Sequence, residues 1–358
     1  SEYTGSTEAA VVTSGTAAIH LALILCGVKP GDEVLCQSFT FTATANPIYY
    51  QGAHPVFIDS EAETWNMDPV MLEEAIQDRM KKNGGSKPRA IIAVHLYGMP
   101  ARMDKILEIG SKYDIPVIED AAEALGSSLE GKRCGSFGKL SVLSFNGNKI
   151  ITTSGGGALL SGDPDLIQKA RFLSTQARDN APHYQHSELG YNYRMSNIIA
   201  GIGRGQMEVL DTHVKRRREI HDEYFEMLDG EWLTAYILER LKNGKNRVTQ
   251  KNSSNGIYFL KEPDGFISNR WLTTILVDPE GTGGVTREDI RIALENENIE
   301  SRPLWKPMHL QPLYESSEYY GHKVSDILFQ YGLCLPSGSS MSKEDVKFVS
   351  TIIKNIMN

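Results

Sequence analysis

The chain has 358 residues, of which 41% are hydrophobic and 23% are charged. These values are ordinary for globular proteins, so the composition excludes a disordered chain and leaves enough apolar material for one or two buried cores. The 45 acidic and 37 basic side chains give a net charge of −8. A mildly acidic chain argues against nucleic-acid binding driven by general basic charge.

Membrane, secretion and metal signals are not found in the sequence. No apolar run approaches the ~20 residues that span a bilayer, and no secretory signal opens the chain. We therefore expect a cytoplasmic protein with no membrane partner. The cysteines, Cys26, Cys36, Cys134 and Cys334, do not have metal-ligand spacing, so we expect reduced thiols and no metal site.

The first part of the chain alternates short apolar runs with helical patterns. The patterns predict strands over 34–36, 55–58, 90–96, 116–118 and 140–145, and helices over 17–26, 71–80 and 103–113. Strands that alternate with helices of this length indicate an α/β domain with a mainly parallel sheet. We predict that this large domain covers residues 1–208.

The second part has a different pattern. It predicts a long charged helix over 209–228, a mobile polar insertion over 241–256, a strand over 270–277, a helix over 286–298 capped by Thr286, and a last helix over 343–357. The basic run Lys215-Arg216-Arg217-Arg218 fits either a phosphate contact or, more often, the solvated face of a helix. We predict a smaller α+β domain over residues 209–358.

Three segments of the first part could carry chemistry. Thr13-Ser14-Gly15-Thr16-Ala17-Ala18 opens an apolar helix, and free N–H groups at a helix N-terminus suit a phosphate, although an ordinary Ser/Thr cap is the alternative. Asp120 directly follows a buried strand, where it either caps a helix or pairs with a cationic ligand group. Lys149 lies in a glycine-containing turn after another strand, as a Schiff-base lysine does, although most lysines are surface residues.

The order of these segments is more specific than any one of them. A helix N-terminus for phosphate, then a strand-end aspartate, then a lysine is the order found in fold-type-I pyridoxal-phosphate enzymes. Six stretches of the chain resemble the DegT/DnrJ/EryC1/StrS family of nucleotide-sugar aminotransferases. They are Ser14-Gly15-Thr16-Ala17-Ala18, Gly31-Asp32-Glu33-Val34, Phe39-Thr40-Phe41-Thr42-Ala43-Thr44-Ala45-Asn46, Glu119-Asp120-Ala121-Ala122-Glu123-Ala124, Ser144-Phe145-Asn146-Gly147-Asn148-Lys149 and Gly190-Tyr191-Asn192-Tyr193-Arg194-Met195-Ser196-Asn197.

The resemblance implies a fold, a cofactor and a set of site residues. The fold would be a mainly parallel seven-stranded sheet flanked by helices, with a smaller C-terminal α+β domain, and the cofactor would be pyridoxal 5′-phosphate. Lys149 would hold the cofactor as a Schiff base and move the proton, while Asp120 would pair with the ring nitrogen. The other cofactor-binding positions implied are Gly15, Thr16, Ala17, Phe41, Glu123 and Ser144, together with Asn192, which would reach the phosphate of a neighbouring subunit in a homodimer.

The substrate side is less distinctive. In the segment Arg302-Pro303-Leu304-Trp305-Lys306-Pro307-Met308-His309-Leu310-Gln311-Pro312 we select Trp305, Lys306 and His309 as candidate substrate contacts, although a packed loop with a buried tryptophan is the alternative. The segment resembles the branch that makes the bacillosamine precursor. That resemblance implies amino transfer from glutamate to C4 of a UDP-linked 4-keto-6-deoxy-2-acetamido sugar in glycan biosynthesis, with dTDP- or GDP-linked keto sugars as alternatives.

Three other activities compete with the transaminase hypothesis. A dehydratase of the family would carry His in place of Lys149. A non-catalytic sensor would keep the fold and bind the cofactor without turnover. A cysteine desulfurase would need a reactive cysteine on a mobile loop, whereas the pattern around Cys334 predicts a buried residue. The sequence also departs from the usual family pattern, because Thr153-Ser154-Gly155-Gly156-Gly157 replaces a Gly-Glu-Gly-Gly stretch. Family members usually begin earlier, with a segment that helps to form the substrate site, and we expect this segment to be absent, disordered or numbered away.

Overall fold

The computed structural model describes residues 1–243 and 255–357. Most of the polar insertion predicted over 241–256 lies outside these residues. Residues 1–196 contain nine strands and five α-helices. The strands are β1 (Glu8–Val12), β2 (Glu33–Gln37), β3 (His54–Ile58), β4 (Ala90–Val94), β5 (Val117–Asp120), β6 (Ser128–Leu129), β7 (Lys132–Arg133), β8 (Leu140–Ser144) and β9 (Gly157–Ser161). The helices are α1 (Gly15–Leu25), α2 (Thr42–Tyr50), α3 (Pro69–Lys82), α4 (Met103–Tyr113) and α5 (Pro164–Ser174).

Residues 197–357 supply further helices and shorter strands; the first of these helices still belongs to the first part, and the elements after it belong to the second. The helices are α6 (Asn197–Glu208), α7 (Leu210–Met227), α8 (Ala235–Asn243), α9 (Arg287–Asn296), α10 (Val324–Tyr331) and α11 (Lys343–Met357). The strands are β10 (Glu231–Trp232), β11 (Ile257–Phe259), β12 (Phe266–Ile267), β13 (Thr273–Val277), β14 (Arg302–Pro303), β15 (Glu318–Tyr320) and β16 (Gly332–Leu335).

The large sheet has eight strands in the order β1-β9-β8-β5-β4-β2-β3-β15. Only β9 runs against the direction of the other strands in this sheet, so the prediction of a mainly parallel sheet is confirmed. Seven of the strands come from the first part of the chain. The eighth, β15, comes from the second part and pairs with β3 at the edge, so the second part does not form a wholly separate layer.

Both faces of this sheet are covered by helices. In β4, Ile91 and Ala93 pack into a cluster with α3 and α4, whereas Ala90 and Ile92 pack into a second cluster with α1, α2 and α5. This alternation follows from the two-residue repeat of a strand, and it explains why the buried strands read as nearly continuous apolar runs.

The second part is built around a smaller sheet of its own. Its five strands have the order β10-β11-β13-β16-β14 and pack against α7, α9 and α11 around Ile220, Ile290 and Val346. A third, three-stranded sheet joins β12 to β6 and β7 of the first part. The predicted Thr286 cap of α9 is present as a reciprocal capping box with Asp289.

Several predicted elements differ in their bounds from those observed, and three of them are informative. The strand predicted over 90–96 ends at Val94, because the chain turns into a short 3₁₀ helix over Leu96–Gly98. The buried ring of His95 at this turn bonds the Glu119 carboxylate at 2.8 Å. The strand predicted over 270–277 begins at Thr273. The charged helix begins at Leu210, directly after α6, and its arginines bind protein groups: Arg217, for example, is buried and donates to the carbonyl of Trp271.

Two further expectations concern the membrane and the thiols. Within the described ranges, no helix is both long and apolar enough to cross a bilayer. All four cysteines are buried free thiols.

Candidate active site

A cavity of about 710 Å³ opens at the carboxyl ends of the strands of the large sheet. Open α/β sheets bind their ligands at this edge, because loops and helix N-termini converge there. The first part of the chain lines the cavity with α1, β5 and β8, and the second part closes it from the other side. The lining residues include Gly15, Thr16, Phe41, Asp120, Glu123, Ser144, Lys149, Trp271, Arg302, Trp305 and Ser337.

The N-terminus of α1 forms one end of the cavity. Ser14 caps the helix by accepting the N–H of Ala17 at 3.0 Å, whereas Gly15 and Thr16 line the cavity. A side chain on Gly15 would begin 3.1 Å from Cβ of Ser144, so a glycine lets the helix approach that strand end. The positive end of the helix and the nearby Ser144 hydroxyl suit a phosphate. Of the residues that the resemblance places at this helix terminus, Ala17 does not line the cavity, and its N–H is bonded to the Ser14 side chain.

Asp120 lies at the end of β5 and is only 4% exposed. Its carboxylate accepts hydrogen bonds from the Thr44 hydroxyl at 2.8 Å and from the N–H of Ala122 at 3.1 Å. Burial raises the pKa of Asp120 in spite of these bonds. A cationic ring nitrogen placed against this carboxylate would offset the cost of burying its charge. Thr44 is a site residue that the sequence did not single out.

The amino group of Lys149 lies between a carboxylate and an aromatic ring. Its Nζ is 3.4 Å from Oε1 of Glu123 and 4.2 Å from the centre of the Trp271 ring. The other oxygen of Glu123 accepts the N–H of Tyr97 at 2.7 Å. Burial raises the pKa of Glu123 to about 7, although the Lys149 charge works in the opposite direction. The structure therefore identifies Lys149 and the Tyr97 N–H as the partners of Glu123.

Trp271 and Glu123 are tied together by Asn269, which is fully buried. The Asn269 side chain accepts the N–H of Trp271 at 2.8 Å and donates to the carbonyls of Glu123 at 2.8 Å and Leu125 at 2.9 Å. The indole N–H of Trp271 in turn donates to the carbonyl of Asn148 at 2.9 Å. This frame was missed by the sequence analysis, because residues 122 positions or more apart carry no local signal of their contact.

Phe41 and Asn192 occupy different surroundings. Phe41 lines the cavity, is 52% exposed and lies with its ring centre 5.4 Å from that of Trp305. Asn192 is exposed, forms an isolated bridge with Thr175, and does not line the cavity of its own subunit. Its predicted contact with a neighbouring subunit stays a prediction.

The three candidate substrate residues are separated by the structure. Trp305 lines the cavity, and its backbone N–H donates a hydrogen bond to the hydroxyl of Tyr97 at 2.9 Å. Lys306 is exposed, and neither Lys306 nor His309 lines the cavity. Both His309 nitrogens have protein partners, Ser38 Oγ at 2.7 Å and Asp326 Oδ2 at 3.1 Å, so this side chain fastens its loop to the end of β2. The sequence could not separate these neighbours, since all three lie on one irregular loop.

One group of side chains with metal-ligand chemistry occurs among the described residues: His95, Glu119 and Cys134, all buried. The ring of His95 accepts the N–H of Ala101 at 2.9 Å and bonds Glu119 at 2.8 Å. Glu119 also accepts the N–H of Phe137 at 2.7 Å and the hydroxyl of Ser141 at 2.7 Å. Because the side chains of His95 and Glu119 are already bonded to protein groups, this cluster stabilises the end of β5, where Glu119 immediately precedes Asp120.

The cavity as a whole fits one kind of cofactor. A phosphate, a basic ring nitrogen and a carbonyl that reacts with an amine would find partners at the α1 terminus, at Asp120 and at Lys149 respectively. Pyridoxal 5′-phosphate carries all three groups. The fold and the site thus define a pyridoxal-phosphate-dependent enzyme.

The comparisons with known proteins agree with this class. Residues 1–354 match the model of the DegT/DnrJ/EryC1/StrS aminotransferase family, and the chain belongs to this family. Its members depend on pyridoxal phosphate, which is the cofactor of this chain.

Two relatives and one solved structure illustrate the similarity. EpsN of Bacillus subtilis, whose own assignment as a pyridoxal phosphate-dependent aminotransferase is an inference, is 49% identical over 100% of this chain and 86% of that protein. The GDP-perosamine synthase of Escherichia coli O157:H7 is 36% identical over 95% of this chain and 83% of the synthase. The crystal structure of a family aminotransferase from Brucella abortus superposes with a TM-score of 0.86 at 27% identity, covering 100% of this chain and 88% of that one.

Proposed function

We propose that this aminotransferase moves an amino group from glutamate to the keto carbon of a nucleotide-linked sugar. The observation that carries the proposal is the placement of Lys149, Asp120 and the α1 terminus around one open cavity of about 710 Å³. That volume lies in the range of small-molecule sites, roughly 300–1,000 Å³. A sugar nucleotide would extend from it towards solvent past Phe41 and Trp305.

The residues of the cavity have distinct roles in this proposal. When bound, pyridoxal phosphate supplies an electron sink for transfer of the amino group. Asp120 holds a proton on the ring nitrogen, and Thr44 orients the Asp120 carboxylate. Lys149 holds the cofactor and carries the proton between the two reacting carbons. Glu123 and Trp271 keep the Lys149 amino group in place while it is free.

Of the three candidate nucleotides, UDP, GDP and dTDP, the first two have specific support. The UDP-linked 4-keto-6-deoxy-2-acetamido sugar rests on the resemblance of residues 302–312 to one branch of the family. A GDP-linked keto sugar is supported by the relative named GDP-perosamine synthase, which matches 95% of this chain at 36% identity. The similarity along the whole chain favours the GDP-linked sugar, whereas the resemblance of the loop favours the UDP-linked sugar.

The competing activities fit the site less well. A dehydratase of this family would lack the lysine that lies here beside Glu123. A desulfurase needs a reactive thiolate on a mobile loop, but Cys334 lies on β16 and burial raises the pKa of its thiol to about 12. A non-catalytic sensor would have no use for Lys149 and Asp120 in one cavity.

A panel of keto sugars linked to UDP, GDP and dTDP, incubated with glutamate and read by mass spectrometry, tests the proposal. We expect one member to gain an amino group and 2-oxoglutarate to form in equal amount. Borohydride treatment and peptide mapping of the same preparation should locate the pyridoxyl group on Lys149. Failure of the whole panel with a correctly loaded Lys149 would refute the sugar substrate and leave the class of enzyme intact.

We further propose a homodimer in which each subunit completes the other's site. The support is the exposed position of Asn192 and of α6, a helix of which no residue is buried. Ile198 on this helix is 80% exposed. A second copy that covers this face would remove apolar surface from water and bring Asn192 towards a neighbouring cofactor phosphate.

A further inference from the structure

The charges that line the cavity are unequally distributed. Asp120, Glu123 and Glu300 contribute carboxylates, whereas Lys149 and Arg302 are the only lysine or arginine side chains among the described lining residues. Both proposed substrates are anions, since glutamate carries carboxylates and a sugar nucleotide carries a diphosphate. Lys149 is committed to the cofactor. We propose that Arg302 is the anion-binding residue of the substrate site, an inference that rests on the proposed function.

The position of Arg302 is fixed by the smaller sheet. Arg302 lies on the edge strand β14, directly opposite Cys334 of β16. Cys334 and Leu335 of that strand, and the two residues that follow it, also line the cavity. Strand pairing therefore fixes the backbone of Arg302 in the cavity wall that the second part of the chain supplies. Asp120 and Lys149 lie in the opposite wall, which the first part supplies.

Arg302 is held by a partner that a substrate can replace. Its Nε lies 2.6 Å from Oε1 of Glu300, two residues earlier. The side chains are 77% and 72% exposed, and ion pairs this exposed are screened by water and contribute little to stability. The Glu300 carboxylate thus occupies the guanidinium face that a substrate carboxylate or phosphate would take, and it can be displaced at little cost.

Ser301 offers a second donor beside Arg302. Ser301 is a lining residue of the same cavity, and its buried hydroxyl has no hydrogen-bond partner within the part of the chain that the structure describes. Buried hydroxyls are almost always bonded, so an unpartnered one at a cavity wall points to a ligand atom. An oxyanion that bridges Arg302 and Ser301 would satisfy this hydroxyl.

The chemistry that Arg302 recognises is a planar or tetrahedral oxyanion. Its guanidinium donates two parallel N–H bonds to a carboxylate or to a phosphate, with a geometry that a lysine cannot reproduce. The carboxylate of the amino donor and the diphosphate of the sugar nucleotide are the two sources of such an anion in this reaction. Binding of each to the holoenzyme distinguishes them.

The test is calorimetric titration of the holoenzyme with 2-oxoglutarate, UDP and GDP as separate probes. The variants are Arg302→Ala, Arg302→Lys and Glu300→Gln. The matched control is Arg291→Ala, which removes an arginine that bridges Glu288 and Glu295 on α9, outside the cavity. Near-ultraviolet circular dichroism and the bound cofactor's absorbance check that each variant is folded and loaded.

We expect Arg302→Ala to weaken at least one probe by about tenfold or more, with a partial recovery in Arg302→Lys. Glu300→Gln should tighten the same probe, because the competing carboxylate is gone. A loss confined to 2-oxoglutarate assigns Arg302 to the amino donor, and a loss confined to UDP or GDP assigns it to the diphosphate. If all probes bind every variant within about twofold of the Arg291→Ala control, the proposal is overturned. Because binding is read without turnover, this result is independent of whether a keto sugar is accepted.

Discussion

The carboxylate of Glu123 lies 3.4 Å from the amino group of Lys149, in a cavity where Glu123 is only 5% exposed. Burial disfavours the charged carboxylate and the Lys149 ammonium favours it. Burial is the larger effect, because the pKa of Glu123 is raised to about 7. A carboxyl group beside the lysine therefore changes charge near neutral pH.

This pKa predicts a pH-dependent stability. Between pH 4.5 and about 7 the folded protein retains the Glu123 proton that the unfolded chain loses. The free energy of unfolding should therefore fall as pH rises through this window, by about 3 kcal/mol from this group. Glu123→Gln should remove that fall. Urea unfolding at a series of pH values, with wild type and variant both free of cofactor, measures this fall in the free energy of unfolding. If the two proteins gave parallel profiles of unfolding free energy against pH, the prediction would be contradicted.

Asp120 should be essential for turnover but not for folding. Asp120→Asn keeps the size and the Thr44 contact but removes the negative charge, so the cofactor nitrogen loses its proton partner. We expect kcat to fall by about a hundredfold or more, with little change in Tm. Thr44→Val should give a smaller loss, because the carboxylate stays charged but loses a donor. Nearly normal turnover in Asp120→Asn would show that Asp120 only caps the turn at Ala122.

Trp271 should act through both its ring face and its indole N–H. Trp271→Phe keeps an aromatic face near Lys149 but loses the bond to the Asn148 carbonyl, whereas Trp271→Leu loses both. We therefore expect kcat to decrease from wild type to Phe to Leu, with the Leu variant lower by roughly tenfold or more. Trp232→Phe is the matched control, since Trp232 stacks on Phe225 outside the cavity. Equal losses in the Phe and Leu variants would exclude a role for the ring face.

Asn192 should act in the neighbouring subunit. We expect Lys149→Ala and Asn192→Arg proteins to be inactive separately, and a mixture of them to regain activity through hybrid dimers. Random exchange in an equal mixture makes about half of the dimers hybrid, and each hybrid has one intact site and one doubly altered site. About a quarter of the wild-type number of sites should therefore be active. Activity measured after mixing and refolding tests this. No recovery in a mixture that native mass spectrometry shows to be hybrid would remove Asn192 from the site.

Much of the fold was predictable because its signals are local. The strand over 90–96 and the helix over 103–113 were predicted within two residues of β4 and α4, since buried strands and amphipathic helices repeat over two and 3.6 residues. The α1 terminus, Asp120 and Lys149 were predicted for the same reason. Each follows or begins an element whose pattern is visible in the sequence, and their order implied the cofactor.

The sequence by itself determined the α/β class and the family, and it predicted which residues near the strand ends could carry the chemistry. Only the tertiary structure decided which groups meet around Lys149, since Glu123 and Trp271 are 148 positions apart and are joined through Asn269. The tertiary structure also decided the roles of Trp305 and His309, which lie on one loop. Trp305 lines the cavity, whereas His309 contacts Ser38 and Asp326 outside it. Such contacts depend on how two sheets pack, and packing between distant segments leaves no periodic pattern in either of them.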